Sequence, residues 1–409
     1  MRFGNQMLYM YWWYIATAGG RRSPVLVVRS RCMVDQCFPK YHFSVDSSDA
    51  IARSLRDNGA MTRHDMVSAT GLSLSTVNRA LTALIAAGTV AVVGNEAPAG
   101  GRPPVVFELT GDDRLVAGVS ITAEGATALV SSPAGAVVAR HRVEFGRGDD
   151  PEATLKITLG LMDDLRDAHV ARVGVAVPGV VTGKAGTVSA IHELEWENLA
   201  LGDLLSRQVG RPVTLANDAD CLAVAEHRRG AGRGVDNMVA FVVGDGLGAG
   251  IITNGQLYRG QHNEAGEVGY LLTERRSLRR LFPHRGELEQ LTGNVRLRAE
   301  AARLGLPDPG RATIMTVISA GAGVAAAREL VDELLDLVAL AVLAMCVVLD
   351  PELVVIGGVA DTTPLISGVR QRLLGRILRV PRIEPAALGA DAIMVGAAQM
   401  ALGAPVGAC

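Results

Sequence analysis

Cysteine is scarce in this chain. Five occur in 409 residues, at Cys32, Cys37, Cys221, Cys346 and Cys409, and no two are spaced as C-x-x-C. A disulfide framework and a cysteine-rich zinc site therefore find no support, and a reducing cytoplasm is the expected compartment. An excess of one charge is lacking as well. Forty basic side chains against 42 acidic ones leave a formal charge of −2, so any contact with nucleic acid must be local. Long apolar runs are missing too: the stretch from Met7 to Ala18 is too short to cross a bilayer as a helix. Aromatic residues are rare outside the N-terminus, where nine of the sixteen fall within the first 43 positions, so that segment differs in composition from the rest. It follows Arg2 and ends in Ala16-Thr17-Ala18, which mimics a signal-peptide cleavage site. Secretion would carry out of the cell a chain whose next region has the pattern of a DNA-binding module. Residues 1–46 are therefore read as an extension, with Met33 as the expected start and a membrane tether as the alternative. The length suits two or three domains.

From Ser47 the pattern becomes regular. Ser48 or Asp49 can cap a helix to about Asn58, with Ile51, Ala52 and Leu55 on one face and Gly59 as its stop. Thr62 caps a short helix ending at Gly71. Ser73 caps a third, in which Val77, Leu81, Leu84 and Ile85 follow helical spacing up to Gly88. The tight turn Thr70-Gly71-Leu72-Ser73 between two helices reads as a helix-turn-helix. Two apolar runs, Thr89 to Val93 and Val105 to Leu109, read as a two-stranded wing, so residues 47–110 are expected to be a winged helix-turn-helix. With Val77, Leu81 and Leu84 inward, Ser75, Thr76, Asn78, Arg79 and Thr82 project from the free face. Short donors and acceptors plus one guanidinium suit major-groove edges and phosphates. Gly101-Arg102-Pro103 at the wing tip resembles the basic tripeptides that enter A·T-rich minor grooves, which makes Arg102 a further candidate. Three helices with polar outer faces also describe protein-binding modules, and five Arg against five Asp or Glu in this region do not discriminate.

Residues 111–409 alternate strands and helices, the pattern of an α/β fold. Strands are expected at Leu115–Ile121, Ala126–Ser131, Ala136–Glu144, Val170–Val177 and Val213–Ala216, with helices at Pro151–Ala168 and Leu201–Val209. The order repeats with strands Asn237–Val243, Ala249–Thr253 and Leu353–Ile356, a long helix from about Ala325 to Leu349, and a closing helix from Ala392 to Leu402. Two lobes of similar order suggest a hinged cleft. Asn217 and Asp218 fall where a strand ends and a helix begins, the usual place for ligand contacts, although either residue can also be a helix cap.

Four stretches carry a family resemblance: AVPGVV at 176–181, ANDAD at 216–220, GDGLGAGIITNGQLYRG at 244–260 and AGEVG at 265–269. In this order and spacing they resemble the ROK family of repressors, open reading frames and sugar kinases. The resemblance covers about residues 47 to 405 and implies a two-lobed actin-like ATPase fold of the RNase H-like, sugar-kinase-like type. A winged helix ahead of it is the arrangement of the family's repressor branch. The resemblance implies a sugar site of Asn217, Asp218, Glu267, Tyr270 and Glu289, with Asp218 matching the general base of the kinases.

Departures from the family pattern matter as much. The histidine that follows Glu-x-Gly in the family is Tyr270 here. The stretch Leu271 to Leu291 lacks the cysteines that hold the family's zinc, so no metal is expected. His284, near Arg279, Arg280 and Arg285, is read as solvated surface rather than as a metal ligand. Where the kinases carry D-x-G-G-T, this chain has Ser120, Thr122, Ala123 and Glu124, and the acid is expected to repel nucleotide phosphates. Gly246 and Gly248 persist in the second phosphate loop, but hairpin turns need glycine anyway. The expectation is a cytoplasmic, homodimeric or larger transcriptional regulator. It would bind double-stranded operator DNA, respond to a sugar or sugar phosphate, and need no ATP, magnesium or zinc. The alternative is an active sugar kinase with an appended DNA-binding domain.

Overall fold

The computed structural model describes residues 47–86, 90–95, 105–109, 115–132, 135–146, 149–168, 170–183, 185–244, 246–321, 323–358 and 362–403, and two short strands before them. Those strands, β1 (Met10–Ala16) and β2 (Arg22–Val28), pair antiparallel with Met10 opposite Val28, inside a unit that ends at Ser47. The aromatic run is thus a hairpin strand. No described helix is long and apolar enough to cross a membrane.

The next elements are α1 (Ser47–Asn58), β3 (Met61–Thr62), α2 (Arg63–Thr70), α3 (Leu74–Ala86), β4 (Val90–Asn95) and β5 (Val105–Leu109). Capping explains the sharp helix boundaries. Thr62 Oγ1 accepts from Asp65 N at 3.3 Å while Thr62 N donates to the Asp65 carboxylate at 2.9 Å, a reciprocal box. Gly71, at φ +67°, closes α2 by donating its N–H to Val67 O. Ile51, Leu55, Met66, Val77, Leu81 and Phe107 form a separate core under these elements. The sheet has three strands, not two. β5 is central, with β4 on one side and β3 on the other, Met61 lying opposite Phe107. The arrangement is a winged helix-turn-helix. Arg102, Gly88 and the wing tip lie outside the described residues.

The first α/β lobe contains β6 (Val116–Thr122), β7 (Gly125–Ser131), β8 (Val137–Glu144), α4 (Pro151–Asp167), β9 (Arg172–Val177), α5 (Leu201–Val209) and β13 (Val213–Asn217). Between β9 and α5, strands β10 (Val181–Thr182), β11 (Thr187–Ile191) and β12 (Trp196–Leu199) make a small sheet of their own, which the periodicity did not announce. Helix α6 (Asp218–Arg229) leads to β14 (Met238–Val243), β15 (Leu247–Thr253) and β16 (Gln256–Tyr258). The second lobe continues with α7 (Glu287–Thr292), α8 (Asn294–Arg303), α9 (Ile314–Gly321), α10 (Arg328–Leu349), β17 (Leu353–Gly357), α11 (Thr363–Leu373), β18 (Arg382–Pro385) and α12 (Ala392–Gly403).

The two large sheets share one topology. Their orders are β13-β9-β6-β7-β8 and β16-β15-β14-β17-β18, each with an antiparallel meander followed by two parallel strands. Fully buried Val, Ile and Leu on β9, β14 and β17 make each parallel strand a two-sided core element. Helix α12 returns from the second sheet to lie on the first. It comes so close that a Cβ on Gly118 or Gly174 would stand 1.8 Å from the carbonyl oxygens of Met394 and Ala397.

Candidate functional site

A cavity of about 670 Å³ opens where the parallel strands of both sheets end, as expected for an open α/β sheet. The first lobe supplies Ser120 and Thr122 from β6, Gly179 after β9, and His192 and Glu193 after β11. Asn217 and Asp218 sit at the start of α6. The second lobe supplies Gly246 and Gly248 at β15, Glu264, Glu267, Tyr270, His284, and Glu289 on α7. All five residues assigned to a sugar by resemblance therefore line one cavity.

Their roles differ. Asn217 is the cap of α6: its Oδ1 accepts from Ala219 N at 2.8 Å and Asp220 N at 3.2 Å, while Nδ2 donates to Gly179 O at 3.1 Å. Its carbonyl oxygen is thus committed to the fold, and the residue orients Asp218 and joins the end of β9 to α6. Asp218 Oδ1 accepts from Ala219 N at 2.8 Å. Burial pushes its carboxyl up to about 7, against the pull of the Ala219 N–H and with help from the nearby Glu267 charge. That is the range in which a carboxyl can exchange a proton at neutral pH. Glu267 is likewise pushed up to about 7 by burial, then by Glu289 and Glu264. Burial also raises Glu289, where the effects of Arg285 and Glu193 oppose each other.

Glu289 has a defined seat. Its Oε2 lies 3.2 Å from where a Cβ on Gly269 would stand, and its Oε1 lies 3.7 Å from that of Gly246. A side chain at position 269 would push the carboxylate out of place. Glu289 is therefore a cavity wall rather than an exposed helix residue.

One expectation needs correction. Glu124 does not reach the cavity. Thr122 pairs with Gly125, so Ala123 and Glu124 form a two-residue turn whose acid is exposed and outside the cavity lining. Asp245, the acid that the sequence places within the second glycine loop, lies outside the described residues; among those described, Glu289 stands beside the loop. His284 is exposed, as expected, and also lines the cavity; its carbonyl accepts from His192 Nε2 at 2.8 Å and from the Tyr270 hydroxyl at 3.4 Å. In β15, Gly250 serves packing, since a Cβ there would stand 2.1 Å from Ala219 O of α6.

The segment before α7, which has no thiol to offer a zinc ion, is knit by the buried Glu287. Its carboxylate accepts from Thr273 N at 2.7 Å and the Ser277 hydroxyl at 2.5 Å, with Arg280 at 3.6 Å. Burial alone would raise this carboxyl, but Ser277, Thr273 and Arg280 hold it below the usual range. Glu193, His192 and Glu264 carry no motif of their own in the sequence. Only the acid-rich surroundings of Ala265-Gly266-Glu267 hinted at Glu264.

On the winged helix, Ser75, Asn78, Arg79 and Thr82 are exposed on α3 and Thr76 is partly so, opposite the buried Val77, Leu81 and Leu84. Ser73 Oγ bonds to the hydroxyls of Ser75 at 2.8 Å and Thr76 at 2.9 Å, which orders the start of this helix.

The duplicated sheets, the cleft between them and the helix-turn-helix define a two-lobed actin-like ATPase fold joined to a DNA-binding type of head. The model of the ROK family matches residues 116–404, and the chain belongs to that family. It is 28% identical over 226 residues to the xylose repressor of Caldicellulosiruptor bescii, covering 54% of this chain and 57% of the repressor. It is 31% identical over 184 residues to the beta-glucoside kinase of Listeria monocytogenes, covering 44% of this chain and 61% of the kinase. The chain thus spans a little over half the length of the curated relatives it matches. Among solved structures, a ROK family transcriptional regulator described as a homolog of the E. coli MLC protein superposes with a TM-score of 0.71 at 22% identity. That match covers 87% of this chain and 95% of the other. The ROK family glucokinase of Streptomyces griseus, in complex with glucose and AMPPNP, superposes with a TM-score of 0.59 at 26% identity. It covers 71% of this chain and 100% of the glucokinase.

Proposed function

We propose that this protein is a transcriptional repressor whose ROK domain senses a sugar and no longer phosphorylates it. The observation that carries this reading is the uneven state of the two halves of one cavity. Asp218, Glu267 and Glu289 face it together, which suits a polyhydroxylated ligand. The half that would take a nucleotide fits poorly. Ser120 supplies a hydroxyl where the kinases of the family carry a metal-positioning carboxylate. Without a phosphoryl donor, Asp218 serves as an acceptor for a sugar hydroxyl.

The relatives named as a xylose repressor and a ROK transcriptional regulator support regulation, and the exposed polar face of α3 suits operator DNA. Sugar bound between the lobes favours their closed arrangement, because only unequal binding to two conformations shifts their balance. In a homodimer that shift alters the spacing of two recognition helices on paired half-sites. The protein works in the cytoplasm, where both operator and sugar are available. The test is to follow operator binding and thermal unfolding with a sugar panel, with and without Mg-ATP, for the parent and Asp218→Asn. A sugar response lost in Asp218→Asn, without ADP release, supports the reading. ATP turnover would replace it with a sugar kinase carrying a DNA-binding head.

A further inference from the structure

Helix α3 carries an apolar side chain on its outer face, and its role rests on the operator-binding reading above. Two leucines flank Ser73. Leu72 is partly buried and packs on the core of the winged helix, whereas Leu74, the first residue of α3, is 54% exposed. Leu74 is not held loosely. Ser73 caps the helix, its Oγ accepting from Thr76 N at 3.2 Å and its carbonyl from Val77 N at 2.9 Å, so the first turn is fixed with Leu74 outward. The hydroxyls around it are engaged within the helix. Those of Ser75 and Thr76 bond to Ser73 Oγ at 2.8 and 2.9 Å, and Thr82 Oγ1 donates back to Asn78 O at 2.9 Å. The side chains left to reach outward are Leu74, Asn78 and Arg79, all exposed. Leu74 and Asn78 are four residues apart, one above the other on the helix surface.

The first residues of a recognition helix are the ones that reach base edges. Every base pair shows donors and acceptors in the major groove, but only thymine shows an apolar group there, its 5-methyl. Against any other base edge, an isobutyl side chain would displace water from polar atoms and return no hydrogen bond. It cannot serve a phosphate either, having no donor. Asn78 is suited to bidentate pairing with adenine, so the two neighbours on α3 favour the same kind of base pair. A protein partner would need a contiguous apolar patch. Among the described residues of α3, the next large apolar side chain that is exposed is Ile85, about three turns away.

We infer that Leu74 reads the 5-methyl group of a thymine, beside the base pair that Asn78 contacts. The test uses the full chain and an operator recovered by selection against it. Each thymine is replaced in turn by deoxyuridine, which removes the methyl group and leaves every hydrogen-bonding atom in place. At one position in a half-site the parent should lose about three- to five-fold in affinity, as expected for one apolar group returned to water. Leu74→Ala should weaken binding to the thymine operator to a similar extent, and the same deoxyuridine should then cause no further loss. Leu74 is exposed, so the variant's melting temperature should stay within about one degree of the parent. If deoxyuridine is neutral at every position while Asn78→Ala and Arg79→Ala still weaken binding, the inference fails and the operator-binding reading stands. An undiminished deoxyuridine loss in Leu74→Ala assigns the methyl group to another side chain and also overturns it. Failure to select any operator with the folded protein overturns both.

Discussion

Glu193 and Arg285 meet at 2.6 Å at the edge of the cavity, joining the turn after β11 in the first lobe to the segment before α7 in the second. The neighbouring His192 donates to His284 O at 2.8 Å, and Asn263 Nδ2 donates to Val181 O at 3.0 Å between the same two lobes. A ligand bound between the lobes shares its closure energy with these contacts. Both side chains of the ion pair are partly exposed, so its contribution is modest. Arg285→Ala should weaken effector binding about two- to five-fold, mainly through faster release, with operator affinity of the free protein unchanged. Stopped-flow dissociation measures this directly, and an unaltered release rate would remove the pair from the closure mechanism.

The carboxyls of Asp218 and Glu267, both raised to about 7, give the free protein a particular pH response. Between about pH 4 and pH 7 the folded state keeps protons that the unfolded state has released. Stability from these groups is therefore present at the acid end of that window, falls as pH rises through it, and levels off above it. Since they interact, they titrate as a pair. Asp218→Asn is neutral throughout, so it should raise the melting temperature relative to the parent more at about pH 8 than at about pH 5. Equal differences at the two pH values would mean that Asp218 is not held protonated in the folded protein.

The approach of α12 to the first sheet depends on the absence of side chains. A Cβ at Gly118 or Gly174 would stand 1.8 Å from a backbone carbonyl oxygen of α12, and backbone cannot swing aside as a side-chain tip can. Gly118→Ala and Gly174→Ala should each cost about 2 kcal/mol or more in urea unfolding. Gly160, exposed on α4 with nothing within 4 Å of its missing Cβ, is the control. Gly160→Ala should stabilise by roughly 0.5–1 kcal/mol.

Much of this fold was legible because its boundaries carry chemistry. Thr62, Asp65 and Gly71 frame α2, and the helical spacing of Val77, Leu81 and Leu84 is enough to orient α3. Strands β10 to β12 were silent because runs of two to five residues, partly exposed, carry no usable period. The site was legible where its residues sit in contiguous motifs, as Asp218 and Glu267 do. Glu193 and Glu264 were not, since only the meeting of two lobes brings them to one cavity. Glu124 was misplaced because motif alignment counts positions, whereas the turn after Thr122 decides where a side chain points. Asn217 carried two readings, and its hydrogen bonds make it the cap.

The outer face of α3 invites a separate measurement. Arg79 and Asn78 are exposed and remote from the core, so truncating them should leave the melting temperature within about one degree of the parent. With an operator recovered by selection against the parent, Asn78→Ala and Arg79→Ala should each weaken binding by about 1–3 kcal/mol. Loss of a base contact should also relax sequence preference at one position, whereas loss of a phosphate contact should reduce the salt dependence by about one ion. Wild-type affinity in both variants would argue for a protein-binding head.

Glu287 offers a last test, of how the cavity wall is held. Its carboxylate gathers Thr273 N and the fully buried Ser277 hydroxyl, and the segment it organises carries His284 at the cavity. Removing the acceptor strands two donors away from water, so Glu287→Ala should destabilise by about 2–3 kcal/mol. Glu287→Gln keeps one acceptor oxygen and should lose less. Hydrogen exchange separates local from global effects: amides between 273 and 286 should exchange faster in the alanine variant while those of β14 and β17 keep their protection. Effector affinity should fall with that loosening, because Tyr270 bonds to His284 O and both lose their anchorage together. Operator binding by the free protein should be spared, since the winged helix has a core of its own. If the segment stays protected in Glu287→Ala, then packing rather than this carboxylate holds the wall, and Tyr270 owes its position to the main chain alone.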